Sequence, residues 1–180
     1  PKAYQKIVPE YASLIQLSLK THEPMIDAAG ANHLVRRQGW LELYRTPEKL
    51  AARLKEAEEA RSLYGVQFEQ LDRAALAAKE PDLNENIIGA VHWLDPWTVA
   101  DPGALVAAYA NAFSEDGGRV LQADIAAVKQ VGKRWQVETA VETLEADEVV
   151  VALGPWAGSW LKELGYHFPT FVKRGYHMHY

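Results

Sequence analysis

No cysteine occurs anywhere in the 180 residues. Disulfide bridges, thiolate catalysis and Cys-ligated zinc are therefore excluded, and redox logic leaves the compartment unassigned. No apolar run approaches the roughly 20 residues that a membrane-spanning helix needs. Positive charge is also in short supply, with 19 Lys and Arg against 24 Asp and Glu and a formal net charge of −5. The basic residues are scattered apart from the Arg36-Arg37 and Lys173-Arg174 pairs, so no nucleic-acid surface is expected. Three catalytic signatures are missing as well. No Ser stands in G-x-S-x-G, no H-E-x-x-H occurs, and no G-x-G-x-x-G follows a strand; a nucleophile-base pair, a zinc protease site and a dinucleotide fingerprint are all absent from the sequence. His177 and His179 share a strand face at a spacing that can hold a metal, but no third ligand lies close in sequence, and no metal is expected.

What is present describes a globular chain. Hydrophobic residues make up 48 %, with 12 Gly and 9 Pro, enough for one compact domain or for parts of two. The first thirty residues carry a helical stripe through Tyr11, Leu14, Ile15 and Leu19, with a break or kink expected at Pro24. Two short extended segments flank Gly39, and Trp40 to Arg45 is semi-apolar on both faces, which predicts a strand inside a sheet. Thr46-Pro47-Glu48 opens a helix that runs to Gly65, its hydroxyl expected as the cap. Val66 to Leu71 reads as extended, Asp72 as the cap of a brief helix, and Ile87 to Leu94 as a strand in which Gly89 marks a close approach. Asp101-Pro102 opens a second capped helix ending at Gly117-Gly118. Beyond it, Arg119 to Gln122 reads as a strand, and Ile125 to Val131 with Trp135 to Thr139 as a hairpin about Gly132. The order of elements is mixed α/β (α+β), without internal repeats.

The most informative stretch is Asp147 to Gly165. Glu148 to Leu153 is β-branched and apolar, as a strand buried on both faces requires, and it stops at Gly154-Pro155, where proline fits the first turn of a helix. Trp156, Trp160, Leu161 and Leu164 then share one face. A buried strand turning through glycine into a helix start offers backbone N–H groups to a ligand outside the strand's carboxyl end, where anionic cofactors sit in open α/β sheets.

Leu153-Gly154-Pro155-Trp156-Ala157-Gly158 resembles the strand and glycine turn late in the flavin domain of the FAD-dependent D-amino-acid oxidase and dehydrogenase superfamily. Leu71-Asp72-Arg73-Ala74-Ala75-Leu76 with Glu80-Pro81-Asp82-Leu83, Asp101-Pro102-Gly103-Ala104-Leu105 and Gly117-Gly118-Arg119-Val120 resemble further segments of that superfamily in the same order. Arg36 to Leu41 and Arg174 to Met178 resemble its D-amino-acid dehydrogenase branch. The resemblance implies hydride transfer from the Cα–H of an amino-acid substrate to flavin N5, giving an imine and then a 2-oxo acid, with the cofactor carrying the redox step. It also implies a chain cut from a longer polypeptide and inactive by itself. Residues 1–100 would be part of the substrate domain, 101–165 part of the FAD-binding (glutathione-reductase-like Rossmann) domain, and 166–180 the return strand. A cytoplasmic enzyme follows, one that could lie peripherally on the inner membrane to reach an electron acceptor. A glycine or sarcosine oxidase-like amine oxidase and a non-enzymatic interaction module stand as alternatives.

On that resemblance Gly154, Pro155, Trp156 and Ala157 match the flavin-contacting turn, against a reading in which Trp156 only anchors the helix. Val128 falls where the meander passes the adenine, against an ordinary core valine. Tyr44, Arg45, Tyr176 and His177 are the substrate candidates, and Trp40, His92 and Trp93 are wall residues or core. Alternation puts Tyr176 and His177 on opposite faces, so both cannot line one pocket.

Overall fold

A computed structural model describes residues 2–167 and 173–175. The chain divides into two compact units, residues 1–120 and 121–180. The first thus includes the helix that follows residue 101.

In the first unit, α1 (Lys2–Ala28) contains Pro9 and Pro24 and runs through both. Of the break or kink expected at Pro24, the break does not occur. Proline removes one N–H and crowds the preceding turn, but the turn after it is held by Ala29 N–H on the Met25 carbonyl at 3.0 Å. Ile26, 2 % exposed, seats that turn in a cluster with Ala31 and Val35. Leu105, Ala108 and Tyr109 of α4 (Pro102–Glu115) close the same cluster. Beside it β1 (Val35–Arg36) pairs antiparallel with β5 (Thr98–Val99).

The centre of this unit is an antiparallel sheet in the order β2 (Trp40–Tyr44), β4 (Gly89–Trp93), β3 (Phe68–Asp72). Every residue of β4 is buried. Successive side chains point to opposite faces, so Val91 and Trp93 join Phe68 against Leu50 and Ala57 of α2 (Pro47–Tyr64). Ala90 points the other way and packs with Ile87 and Leu76 of α3 (Arg73–Lys79). The expectation that β2 lies inside a sheet is corrected. Among the described residues it is an edge strand, paired only with β4, because the strand that buries both faces beneath helices is β4.

Local signals account for the helix ends. Asp72 Oδ1 accepts from Ala75 N–H at 2.8 Å and Asp101 Oδ1 from Ala104 N–H at 2.9 Å, each satisfying an orphan donor of the first turn. Gly65 takes φ +71° and donates its N–H to the Arg61 carbonyl. Thr46 departs from expectation: its side chain makes no capping bond, and the turn starts from its carbonyl, which accepts from Leu50 N–H at 3.2 Å.

Two glycines are required by contact. A Cβ on Gly89 would stand 2.7 Å from the Leu71 carbonyl oxygen, and one on Gly39, at φ +66°, would stand 1.8 Å from the Trp93 carbonyl oxygen. On the α2 side of the sheet, Glu42 Oε2 accepts from Trp93 Nε1–H at 3.0 Å and from Arg53 Nε–H at 3.0 Å. The Arg53 guanidinium lies 5.1 Å from the Trp93 ring centroid. Burial pushes the Glu42 carboxyl up, but hydrogen bonds from Tyr44, Trp93 and Arg53 outweigh it and hold the group below its ordinary value.

The second unit opens on a meander, β6 (Ile125–Val131), β7 (Arg134–Thr139) and β8 (Thr143–Ala146), with Val128 opposite Val137 and Val137 opposite Leu144. Gly132 at φ +63° makes its first turn. Two expected strands are corrected here. Residues 119–122 are irregular, and Glu148 to Leu153 has no ladder partner among the described residues. A β-branched run becomes a buried strand only when neighbours supply hydrogen bonds on its edges and cover on its faces. Val150 instead is 86 % exposed. Val149, Val151 and Leu153 face Ile125, Val128 and Val137 across a small apolar cavity that Trp160 and Leu164 close. A 3₁₀ turn, Gly154–Trp156, leads into α5 (Ala157–Glu163). Among the described residues no helix is long and apolar enough to cross a membrane.

Two predictions follow from this packing. Gly39→Ala is expected to lower unfolding stability by about 3 kcal/mol, while Gly30→Ala, also at positive φ but in open space, loses about 1 kcal/mol; urea titration of both variants checks the difference. Because the Glu42 carboxyl is held low, its contribution is present at neutral pH and lost as pH falls below 4.5. Glu42→Gln should be less stable than the unsubstituted protein at pH 7 by about 1–3 kcal/mol and should show a shallower loss of stability between about pH 5 and pH 3.

Candidate functional site

A cavity of about 750 Å³ in the first unit opens on the α3 side of the β2–β4–β3 sheet, a size in the range of small-molecule sites. Pairing builds its floor. Leu41 and His92 stand opposite each other in the β2–β4 register and share that face. The segment between β1 and β2 brings Arg37, Gln38 and Gly39, and the end of α3 brings Lys79 and Glu80.

His92 is 5 % exposed. Its Nε2 lies 2.8 Å from the Gln38 carbonyl oxygen, which can only accept, so Nε2 carries the hydrogen. Nδ1 is buried without a hydrogen-bond partner, and the nearest charge is Glu69 Oε2 at 3.8 Å, too far for a hydrogen bond. Arg37 stands at the cavity wall on fixed supports. Nη2 donates to Asn32 Oδ1 at 3.0 Å, and the guanidinium carbon lies 4.4 Å from the Trp97 ring centroid. Its nearest carboxylate is Glu23, at 3.9 Å.

The sequence-predicted residues are distributed unevenly. Tyr44 lies on the α2 side of the sheet, away from the cavity, and burial together with its bond to Glu42 pushes its hydroxyl up to about 12. Arg45 is exposed beyond the end of β2. The structure therefore brings neither of them to the cavity, whereas His92, named only as a wall residue or core, forms its floor. Trp93 faces α2 and is tied to Glu42. Tyr176 and His177 lie outside the described residues, as does His179. Arg37, Lys79 and Glu80 were not singled out as site residues. Arg37 lies in the stretch that resembles the dehydrogenase branch and Glu80 in the Glu-Pro segment that resembles the superfamily, and neither resemblance shows that the fold gathers them with Lys79 at one opening.

In the second unit Val128 and Leu153 line the same apolar cavity, about 210 Å³ in volume. Gly154, at φ +54°, has nothing within 4 Å of where a Cβ would stand. Trp156 is 74 % exposed and packs no helix against the sheet. Pro155 is exposed with it, and Ala157 begins α5. Val128 and the run leading to the glycine turn are thus neighbours, although the run is not in a sheet.

Comparisons with known proteins cover almost the whole chain. A D-amino acid dehydrogenase of Agrobacterium fabrum is 29 % identical over 156 residues, 83 % of this chain and 37 % of that protein. A D-amino-acid oxidase of Bradyrhizobium diazoefficiens is 27 % identical over 162 residues, 87 % of this chain and 37 % of that protein. The chain therefore spans a little over a third of the length of these relatives. Among solved structures, glycine oxidase from Geobacillus kaustophilus superposes with a TM-score of 0.71 at 22 % identity, over 88 % of this chain and 43 % of that one, a likeness of fold. A family model described as FAD dependent oxidoreductase matches residues 2–180, and the chain belongs to that family.

Proposed function

We propose that this chain is the substrate-side portion, with a later flavin-side portion, of an FAD-dependent enzyme that oxidises the Cα–N bond of D-amino acids. The observation that carries the reading is the coincidence of the family match over residues 2–180 with a 750 Å³ polar-rimmed cavity on one face of the antiparallel sheet. The D-configuration is supported by the relatives named D-amino acid dehydrogenase and D-amino-acid oxidase.

The second unit fits part of FAD. An apolar cavity bounded by Val128 and Val149 to Leu153 suits a planar ring, and the open space at Gly154 lets a ligand approach the backbone where a side chain would stand in the way. Val128, Gly154, Pro155, Trp156 and Ala157 would hold that portion of the cofactor. The sequence has no G-x-G-x-x-G to receive the pyrophosphate, so that contact would come from residues of the longer polypeptide. Bound FAD supplies the two-electron acceptor for the substrate's Cα–H. This chain's own contribution is binding and alignment. Leu41 and the covered sheet face exclude water at the cavity floor, and His92 holds the Gln38 carbonyl, and with it the segment carrying Arg37, in one position.

A glycine oxidase-like amine oxidase is the second reading, favoured by the superposition at TM-score 0.71. The two differ in the amine accepted and in the electron acceptor, which is oxygen for an oxidase and a separate carrier for a dehydrogenase.

Mixing the full gene product, loaded with FAD, with D-alanine, L-alanine, glycine and sarcosine under anaerobic conditions tests the proposal. Bleaching of the yellow flavin absorbance by D-alanine, at least about tenfold faster than by the other three amines, is expected. Fastest bleaching by glycine or sarcosine would favour the second reading. Hydrogen peroxide formed under air separates oxidase from dehydrogenase, and a flavin left oxidised by every amine overturns both readings.

A further inference from the structure

We propose that the exposed apolar seam of α1 is an interface with a second copy of this chain, the two helices lying antiparallel about a two-fold axis; this stands independently of the reaction assigned above. Ile7, Tyr11, Leu14, Leu17 and Met25 are each 48 % exposed or more, and α1 runs unbroken through all of them. A contiguous apolar face of this kind marks an interaction surface.

The spacing identifies the occupant as a helix. Residues 7, 11, 14, 18, 21 and 25 follow one another at alternating intervals of four and three, so they take the a and d positions of a heptad. A straight helix drifts out of register with that repeat, whereas a helix wound against another keeps it. The charged Lys6, Lys20, Glu23 and Asp27 fall outside the a, d, e and g positions. A different side of α1 holds it to the first unit, with Ile26 in its cluster and His22 Nδ1 3.0 Å from the Tyr109 hydroxyl. The seam lies roughly a quarter-turn round the helix from them.

Self-complementarity identifies that helix as a second α1. With the helices antiparallel and Leu14 level with Ser18 of the partner subunit, Tyr11 meets Thr21 of the partner subunit and Ile7 meets Met25 of the partner subunit. Every a position then faces a d position, and in the central layers a large side chain meets a small one. A parallel pair would stack tyrosine on tyrosine and leave serine facing serine across a gap. The small polar residues suit an apolar seam because their hydroxyls are already used. Ser18 Oγ donates to the Ile15 carbonyl at 2.6 Å and Thr21 Oγ1 to the Leu17 carbonyl at 3.1 Å, so neither is stranded when water leaves. Leu17, at a g position, faces Leu17 of the partner subunit across the axis. The five exposed apolar side chains would bury roughly 100 Å² each, about 500 Å² per copy against the roughly 800 Å² of a standard interface. The pair is therefore reversible, with dissociation in the micromolar range.

Sedimentation of the full gene product, loaded with FAD, through a micromolar concentration series tests this. A monomer–dimer equilibrium is expected. Leu17→Glu sets two carboxylates against each other across the axis and should raise the dissociation constant at least about tenfold, while Lys20→Glu, off the seam, should change it by less than about twofold. Should Leu17→Glu fail to fold, Leu17→Ser decides, with a rise of at least about threefold expected. Orientation is read from nitroxides attached through Lys6→Cys, the 180 residues holding no other cysteine. Antiparallel helices separate the labels by about 30 Å along the axis, and parallel ones leave them level. Level labels, a dimer indifferent to both Leu17 substitutions, or a monomer at every concentration overturn the proposal. Among monomers, one that cosediments with phospholipid vesicles gives the seam to a membrane, and one that Leu17→Glu destabilises gives it to the rest of the polypeptide. A dimer with the expected properties whose flavin no amine reduces keeps this interface and loses the assigned reaction.

Discussion

Burying five consecutive strand residues beneath two helices leaves β4 only one usable register, and the first unit is arranged about that constraint. Val91 and Trp93 meet Leu50 and Ala57 on one side, while Ala90 meets Leu76 and Ile87 on the other. A slip of one residue would exchange these sets and drive His92 into the apolar layer under α2, where it would have no carbonyl to bond. The same register fixes His92 opposite Leu41 on β2 and opposite Glu69 on β3. The imidazole is therefore placed by apolar packing on the face it does not occupy. Its bond to Gln38 passes that placement on to the segment before β2, and so to Arg37.

The two faces treat polar groups differently. On the α2 side every polar participant has a partner. Glu42 receives Trp93 and Arg53, Arg53 also reaches Glu56 at 2.7 Å, and Tyr44 bonds to Glu42. Networks satisfied in this way are structural, because replacing any one member strands the others away from water. On the α3 side one ring nitrogen of a buried histidine has no partner, and two cations border the same opening. Arg73 Nη1, on α3, is the other buried side-chain nitrogen without a hydrogen-bond partner among the described residues.

The parts of the fold that were legible in the sequence are those decided within a few residues. Asp72 and Asp101 cap helices as their positions before Arg73 and Pro102 suggested, Gly65 ends α2 in the left-handed conformation, and Gly132 turns the β6–β7 hairpin. What escaped depends on partners distant in the chain. Glu148 to Leu153 has the composition of a buried strand, yet nothing among the described residues pairs with it, and composition does not record whether a neighbour is present. Trp40 to Tyr44 appeared doubly buried, but β4 took the central place. Pro24 carried a local reason for a break that the packing of Ile26 overrides. The candidate site divides in the same way. The turn at Gly154 is decided within three residues, whereas alternation puts Tyr44 on one of two faces without saying what covers either, and each face carries a cavity.

The segments that reveal the family turn out to be largely structural devices, and this bears on how far family membership reaches. Asp72 of the Leu-Asp-Arg segment and Asp101 of the Asp-Pro segment are helix caps. Gly118 of the Gly-Gly segment donates its N–H to the Phe113 carbonyl at 2.8 Å and closes the end of α4. Caps and close approaches are demanded by the fold whatever ligand is turned over, so a chain can match them throughout and still differ in the amine it accepts. Arg37, Lys79 and His92 are under no such demand as a set. They come from a loop, a helix end and a strand, and only the sheet register brings them to one opening.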